Sequence, residues 1–402
     1  MAFALRWWLA RRGGVAACAA AAAAAAAALP AALPAPAAAD PIVDRDFAID
    51  FYDGVAIGDT AQVGMGGAGA ASVAGSAGTL LNASAPAVRR TTDNDRWSWD
   101  YHLDALTGTY SSDYDNNGIV TDEASGASLV TAGLGLRVGD WAGAVTLTGQ
   151  TAPLEGSTLR ADALRAKLVV ARWLPRRDVA VGGGFQGVLF QLTPEDDEPL
   201  FGITGVGLLA GVTWLPRMER FRAGLSLETG IVGGAVSTSA CDPSNCQGYI
   251  LPSQVEAAGR VIAGVAYRWA ATAWNQLVPQ KFRDERALTV ATDLVFTGAT
   301  ENGHGIEAFG MQELQRSGST PVISIRGGAE FEWLPGRLRV RAGSYWEPAR
   351  FEGVGGRVHG TIGLDVRVFE FHLFGLRRGR ISGTADLAAR YRNLALSIGF
   401  WH

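Results

Sequence analysis

The chain has 402 residues, a formal net charge of −4, 48% hydrophobic and 18% charged residues. That balance excludes a protein built to track nucleic acid, since no basic block follows a phosphate backbone. The 52 Gly and 12 Trp, without helical periodicity, point to a β-rich protein with tight turns and aromatic belts.

The N-terminus reads as a targeting segment. Arg6, Arg11 and Arg12 precede an apolar stretch from Val15 to about Leu33, which ends in Ala37-Ala38-Ala39. A basic start, an apolar middle and a small-residue end are what a signal peptidase accepts, so residues 1–39 are expected to be removed, with Asp40 first in the mature chain. Export agrees with the cysteines. Beyond Cys18 only Cys241 and Cys246 remain, in a turn-rich loop, and they are expected to form a disulfide.

Residues 40–96 are rich in Gly, Ala and Ser and show little alternation, so they read as a separate N-terminal plug without a large core of its own. From Trp97 the period becomes two, and residues 97–402 read as a transmembrane β-barrel. In Trp97–Ala105, in Arg220–Ile231, in Ile323–Trp333 and in Arg337–Trp346 an apolar face opposes a row of charge. Strict alternation puts each set on one face of a strand. Apolar faces toward lipid and charged faces toward a lumen describe a membrane barrel better than a soluble sandwich. Trp173-Leu-Pro-Arg, Trp214-Leu-Pro-Arg and Trp333-Leu-Pro-Gly-Arg close one strand and open the next, as turns at a membrane interface do.

The fold class expected is therefore all-β, a transmembrane antiparallel β-barrel of about fourteen strands with an N-terminal plug, each strand near the ~9–11 residues a tilted membrane strand needs. The expected spans are 97–107, 128–138, 141–150, 159–173, 177–192, 202–214, 220–236, 256–269, 286–297, 321–334, 337–346, 359–371, 381–390 and 393–401. Short turns near 139, 175, 217, 335 and 377 alternate with longer connections, the parity of periplasmic turns and external loops. The connection at 270–285 breaks that parity and could hold a short helix. A phase switch near Val368-Phe369 predicts a bulge or a strand end.

Several local patterns carry chemistry. Gly64-Met-Gly66-Gly67-Ala-Gly69 fits a dinucleotide fingerprint by letter, yet follows no strand of a βαβ unit, and Gly182–Gly187 fits the same letters. Asp113, Asp115 and Asn117, with Gly118 at the turn and Glu123 one place early for the bidentate acid, resemble a calcium loop; the competing reading is a solvated acidic external loop, with no cofactor at all. The charged inner face includes Arg326, Arg339 and Arg341, which read either as partners of neighbouring acids or as contacts for a carboxylate head group. Five His and no paired nucleophile give no support to an enzyme.

Residues 56–87 contain Gly64-Met65-Gly66-Gly67-Ala68 followed by Asn82 and Ala85-Pro86-Ala87. This resembles the plug opening of the FadL/TodX-type (OMPP1) outer-membrane transporters, in which a Gly-Met-Gly-Gly-Ala run precedes Asn-Pro-Ala. Here Ala83-Ser84-Ala85 separates Asn82 from Pro86, and the acidic pair usual between the motifs is missing. Leu338–Pro348 is similar to a late strand of that family and its acidic-Pro loop. The resemblance implies a monomeric fourteen-stranded barrel in the outer membrane of a Gram-negative bacterium, folded by the barrel-assembly machinery. It also implies passive uptake of long-chain fatty acids or hydrocarbons through the lumen or sideways through the wall. Its contacts would be outer-membrane lipid and small hydrophobic molecules. The alternative is a structural or assembly barrel with no transport role.

Overall fold

The computed structural model describes residues 40–51, 59–88, 95–108, 113, 115–120, 128–154, 156–194, 198–236, 241–276 and 282–401, so the expected signal peptide lies outside the described residues. Fourteen antiparallel strands close into one barrel. They are β1 (Trp97–Gly108), β2 (Ser128–Val138), β3 (Trp141–Pro153), β4 (Leu159–Leu174), β5 (Val179–Pro194), β6 (Phe201–Trp214), β7 (Phe221–Glu228), β8 (Arg260–Ala270), β9 (Ala287–Thr297), β10 (Val322–Leu334), β11 (Leu338–Glu347), β12 (Arg357–His372), β13 (Leu376–Ala388) and β14 (Tyr391–Phe400). The seam closes where Gly399–Asn393 of β14 pairs with His102–Gly108 of β1.

Alternation drives this closure. Leu134, Leu168, Val206, Ile362 and Leu396 point outward and are exposed, while Thr131, Lys167, Asp293, Asp365 and Ser397 point inward and are buried. A closed wall satisfies the backbone on both edges of every strand, and an outward apolar face of this kind requires lipid. The Trp-Leu-Pro turns all lie at one end, with Trp97, Trp141, Trp214, Trp269 and Trp333 exposed beside them as an aromatic girdle. We term this short-turn end the inner end. Longer connections gather at the outer end, where Cys241 and Cys246 are disulfide-bonded.

The structure departs from the sequence reading in three spans. The strand expected over 220–236 stops at Glu228, because Thr229-Gly230 turns the chain inward. The strand expected from 256 starts at Arg260, since Gln254–Ala257 joins a separate small sheet. The strand expected from 381 starts at Leu376, pushing the turn to 373–375. The phase switch is a register shift between Arg367 and Phe369. No helix is present in the described part of the 271–286 connection; a short one, Ile306–Gly310, lies instead in the loop after β9.

The N-terminal segment occupies two places. At the outer end, Ala48–Asp50 lies between Gln254–Ala257 and Gly303–His304, parallel to both. Phe47 and Ile49 are buried there with Leu154, Phe190, Phe201, Leu251 and Phe309 in the largest apolar cluster of the molecule. Arg350 donates to Asp50 Oδ2 through Nε (3.1 Å) and Nη2 (3.0 Å), and Ser317 Oγ adds a third bond at 2.7 Å. Residues 59–88 fill the lumen between that cluster and the inner end. They form helices α1 (Thr60–Gly64) and α2 (Gly75–Gly78) and a 3-10 turn at Ala85–Ala87, and α3 (Ile306–Gly310) sits in the outer loops.

Candidate transport path

The plug is held by its backbone. Short helices leave their first N–H groups without partners, and inward carboxylates of the wall take them. Asp59 caps α1 by accepting from Ala61 N at 2.9 Å. Asp104 Oδ1 accepts from Thr60 N (3.1 Å) and Thr60 Oγ1 (3.2 Å). Asp100 Oδ2 accepts from Ser76 N at 2.9 Å, while Ser76 Oγ and His102 Nδ1 share a hydrogen bond at 3.0 Å. Asp293 Oδ2 accepts from both Gly69 N (2.7 Å) and Ala70 N (2.9 Å). The rows of inward charge read from the sequence therefore include three aspartates that anchor the plug.

The motif residues meet the wall at very close range. Gly66 and Gly67 have φ of +63° and +72°, a left-handed turn that Gly adopts without a Cβ clash. Met65 and Gly66 press against Gly328 and Gly343 of β10 and β11, where a Cβ on either wall glycine would overlap the Met65 backbone. Asn82 does the same at Gly211, and its side chain organises the second half of the motif. Its Nδ2 donates to Ala70 O at 2.8 Å, and its Oδ1 accepts from Ser84 N (3.0 Å) and Ser84 Oγ (2.8 Å). Pro86 lies buried in the 3-10 turn. Asn82 thus ties Ala70 to Ser84 within the plug and also donates to the wall, at Val212 O and Thr213 Oγ1, both 3.3 Å.

The plug separates two cavities. Above it lies a small one of about 40 Å³, lined by Phe51, Arg165, Glu228, Ile231, Arg260 and Arg326 among others. Below it, toward the inner end, lies one of about 260 Å³, lined by Met65, Asp100, Arg222, Trp274, Arg339 and Arg341 among others. The three arginines singled out from the sequence are therefore not brought together. Arg341 is locked in a bidentate pair with Asp365 (2.5 and 2.7 Å) and a further bond to Glu330. Arg339 donates to Glu332 at 3.2 Å and lies 4.2 Å from the Trp401 ring centre. Arg326 lines the upper cavity.

The wall itself is uneven. β6 pairs with β5 along Phe201–Leu192 to Trp214–Val179, but with β7 only from Leu209–Glu228 to Trp214–Ala223. Thr229 N donates to Leu208 O at 3.0 Å as the last bond of that ladder. Beyond it the chain leaves the wall, and Ile231 and Val232 pair instead with Ala257 and Glu256. The outer half of β6 then has no β7 ladder beside it, and the Ile231 side chain lies over its inner face at Gly205 and Gly207, with Val232 O also near Gly205. The upper cavity lies behind this interruption, since Glu228, Thr229 and Ile231 line it.

The loop read as calcium-like is a tight turn against the barrel. Asp113 accepts from Asn117 N (3.0 Å) and Gly118 N (3.1 Å), Asp115 accepts from Asn117 N at 3.2 Å, and the Asn117 amide donates to Glu307. Asp113 also faces Arg390 at 3.5 Å and Arg357 at 3.9 Å, which supply the positive charge a cation would bring. Burial, then the charges of Glu307 and Asp113, push the Asp115 carboxyl well above the usual carboxylate range. Among the described residues no group of three or more His, Cys, Asp or Glu side chains is arranged to hold a metal ion, and Glu123 lies outside them.

Among solved structures, the chain is similar to the CymD monoaromatic hydrocarbon channel, with a TM-score of 0.53 at 12% identity over 87% of this chain and 97% of that one. It is also similar to the P. putida toluene transporter TodX, with a TM-score of 0.52 at 12% identity over 87% of this chain and 98% of that one. At this identity the likeness is one of fold alone, a closed β-barrel. No protein-family model matches the chain, and no curated protein matches its sequence.

Proposed function

We propose that this chain is a Gram-negative outer-membrane channel that lets small hydrophobic molecules enter by diffusion, passing sideways through the wall rather than straight down the lumen. The observation that carries the reading is the shortened β6–β7 ladder, behind which the Ile231 side chain packs on the inner face of β6 in front of a cavity. Backbone pairing makes the rest of the wall impermeable, whereas a side-chain seal can move without breaking a ladder. The plug closes the axial route with buried aspartate and glycine contacts, which suits a channel that must not leak ions. Similarity of fold to the CymD and TodX channels supports a hydrophobic cargo. The barrel is read as a monomer, inserted by the assembly machinery through its aromatic last strand, and no reaction is assigned to it.

Proteoliposomes holding the full mature chain test this. The expected result is faster entry of a neutral aromatic such as toluene, with no change in the entry of a small sugar. Equal toluene entry with and without protein sinks the reading and leaves a barrel that serves a surface assembly. Sugar leakage in parallel with toluene points instead to an ordinary open pore.

A further inference from the structure

The inner cavity holds an imbalance of charge that the plug contacts do not use. Arg222 on β7 is 4% exposed and lines this cavity. Its guanidinium lies 3.9 Å from the Trp274 ring centre, and its Nε donates to Asn275 Oδ1 at 2.8 Å. Its two terminal nitrogens donate to nothing among the described residues. Arg268 and Arg283 line the same cavity. Both approach a single carboxylate, Glu285, at 3.6 and 3.5 Å, and that carboxylate already accepts two bonds from Thr272, while the terminal nitrogens of Arg283 donate to the carbonyls of Ala273, Trp274 and Gln276. Nε of Arg268 is buried without a partner. Two strands along the wall from β8, on β10, the acids are hydrogen-bonded elsewhere, Glu330 to Arg341 and Glu332 to Arg339 and Gly336 N.

Arg268 and Arg283 share one saturated carboxylate and Arg222 faces none, an excess of positive charge that an anion with hydrogen-bond acceptors would relieve. The neighbouring surface is not polar. Trp274 packs with Met65, Ala68, Ala71, Ala266 and Ala291, so an apolar wall stands directly beside the unmatched cations. A free inorganic anion would use the arginines and leave that wall wet. A carboxylate on a small apolar body would use both.

We propose that this corner of the inner cavity binds a carboxylate carried on a small apolar body, with Arg222 as the principal donor. The site stands apart from the sideways route, and binding is measured separately from flux. It places the acid head at the inner mouth, below the plug, within reach of a ligand arriving from the inner end.

The test is calorimetric titration of the full mature protein in neutral detergent with phenylacetate and with 2-phenylethanol, which keeps the ring and lacks the charge. Phenylacetate is expected to bind at least about tenfold more tightly, the difference one charge-assisted bond makes. Arg222→Gln should remove that advantage and leave 2-phenylethanol unchanged, with folding checked by heat-modifiable gel migration. Thr289→Trp, which fills the cavity from β9 without removing charge, should abolish binding of both and serves should Arg222→Gln fail to fold. Equal binding of the two probes overturns the proposal, as does unchanged phenylacetate affinity in either folded variant. Inorganic phosphate that competes as well as phenylacetate overturns the apolar half of it. Neutral aromatic flux without phenylacetate binding sinks this site alone, while binding without flux keeps the site and sinks the transport reading.

Discussion

The two halves of the lumen are held together by different physics. The outer half is an apolar cluster in which Phe47, Ile49, Phe190, Phe201 and Phe309 interlock with no directional requirement. The plug level and the inner half are polar, with aspartates gripping backbone N–H groups and glycines allowing chain to touch chain. Apolar packing tolerates small adjustments and recovers. A carboxylate bonded to two N–H groups does not, because a small shift leaves buried donors unsatisfied. The outer half is thus suited to yield to a hydrophobic molecule, and the plug is suited to stay.

The largest effect should come from closing the gap between plug and wall. In Gly343→Val the new side chain would overlap Gly66 and Met65, so the plug is expected to leave its seat. Planar-bilayer recordings should then show steady ion conductance where the parent barrel shows none. Next is Phe47→Ala, which removes a buried ring from the outer cluster at a cost of about 3–5 kcal/mol. It should expose residues 40–51 to external protease while conductance stays closed, which separates the two halves directly. Asp293→Ala withdraws the acceptor from Gly69 N and Ala70 N, a loss of about 3 kcal/mol. It should give intermittent conductance, and a plug that stays silent in this variant would show that glycine contacts alone hold it.

The smallest effect concerns pH. The raised Asp115 carboxyl favours its protonated form in the folded loop. A carboxyl with a folded pKa above its unfolded one stabilises at low pH and loses that contribution as pH rises through the folded value. Amide exchange across residues 115–120 should therefore quicken as pH rises above the usual carboxylate range. Asp115→Asn should remove that dependence beyond the intrinsic chemistry of exchange.

Strands were legible wherever alternation ran unbroken. β2 spans Ser128–Val138 as expected, and the Trp-Leu-Pro turns sit together at the inner end. What alternation could not convey was where a strand stops being wall. Glu228-Thr229-Gly230-Ile231 continues the pattern by letter, yet Thr229-Gly230 bends the chain into the small sheet. Glycine is the second blind spot. In a period-two pattern Gly211, Gly328 and Gly343 read as blanks, although each is the place where the plug touches the wall. The inward charges were visible as rows, but their partners were not, because backbone N–H groups leave no mark in sequence. Arg222 was visible as one of those inward charges; the excess around it was not, since Arg268 and Arg283 meet it only through folding.

The parallel strand at Ala48–Asp50 has a consequence for how the molecule is made. The chain's first described residues sit at the outer end, residues 59–88 run through the lumen, and β1 begins at the inner end. Asp50 finds its partner Arg350 300 positions later, and Thr60 meets Ser397 337 positions later. Contacts of such separation form late and slowly. Once β14 zips onto β1, the segment inside can be reached only through an end of the barrel. Wrapping the wall around its own leading segment avoids that passage, so closing the seam between first and last strands is the committing step. A chain that closes that seam early would be trapped as an empty cylinder, complete in every ladder and lacking its core.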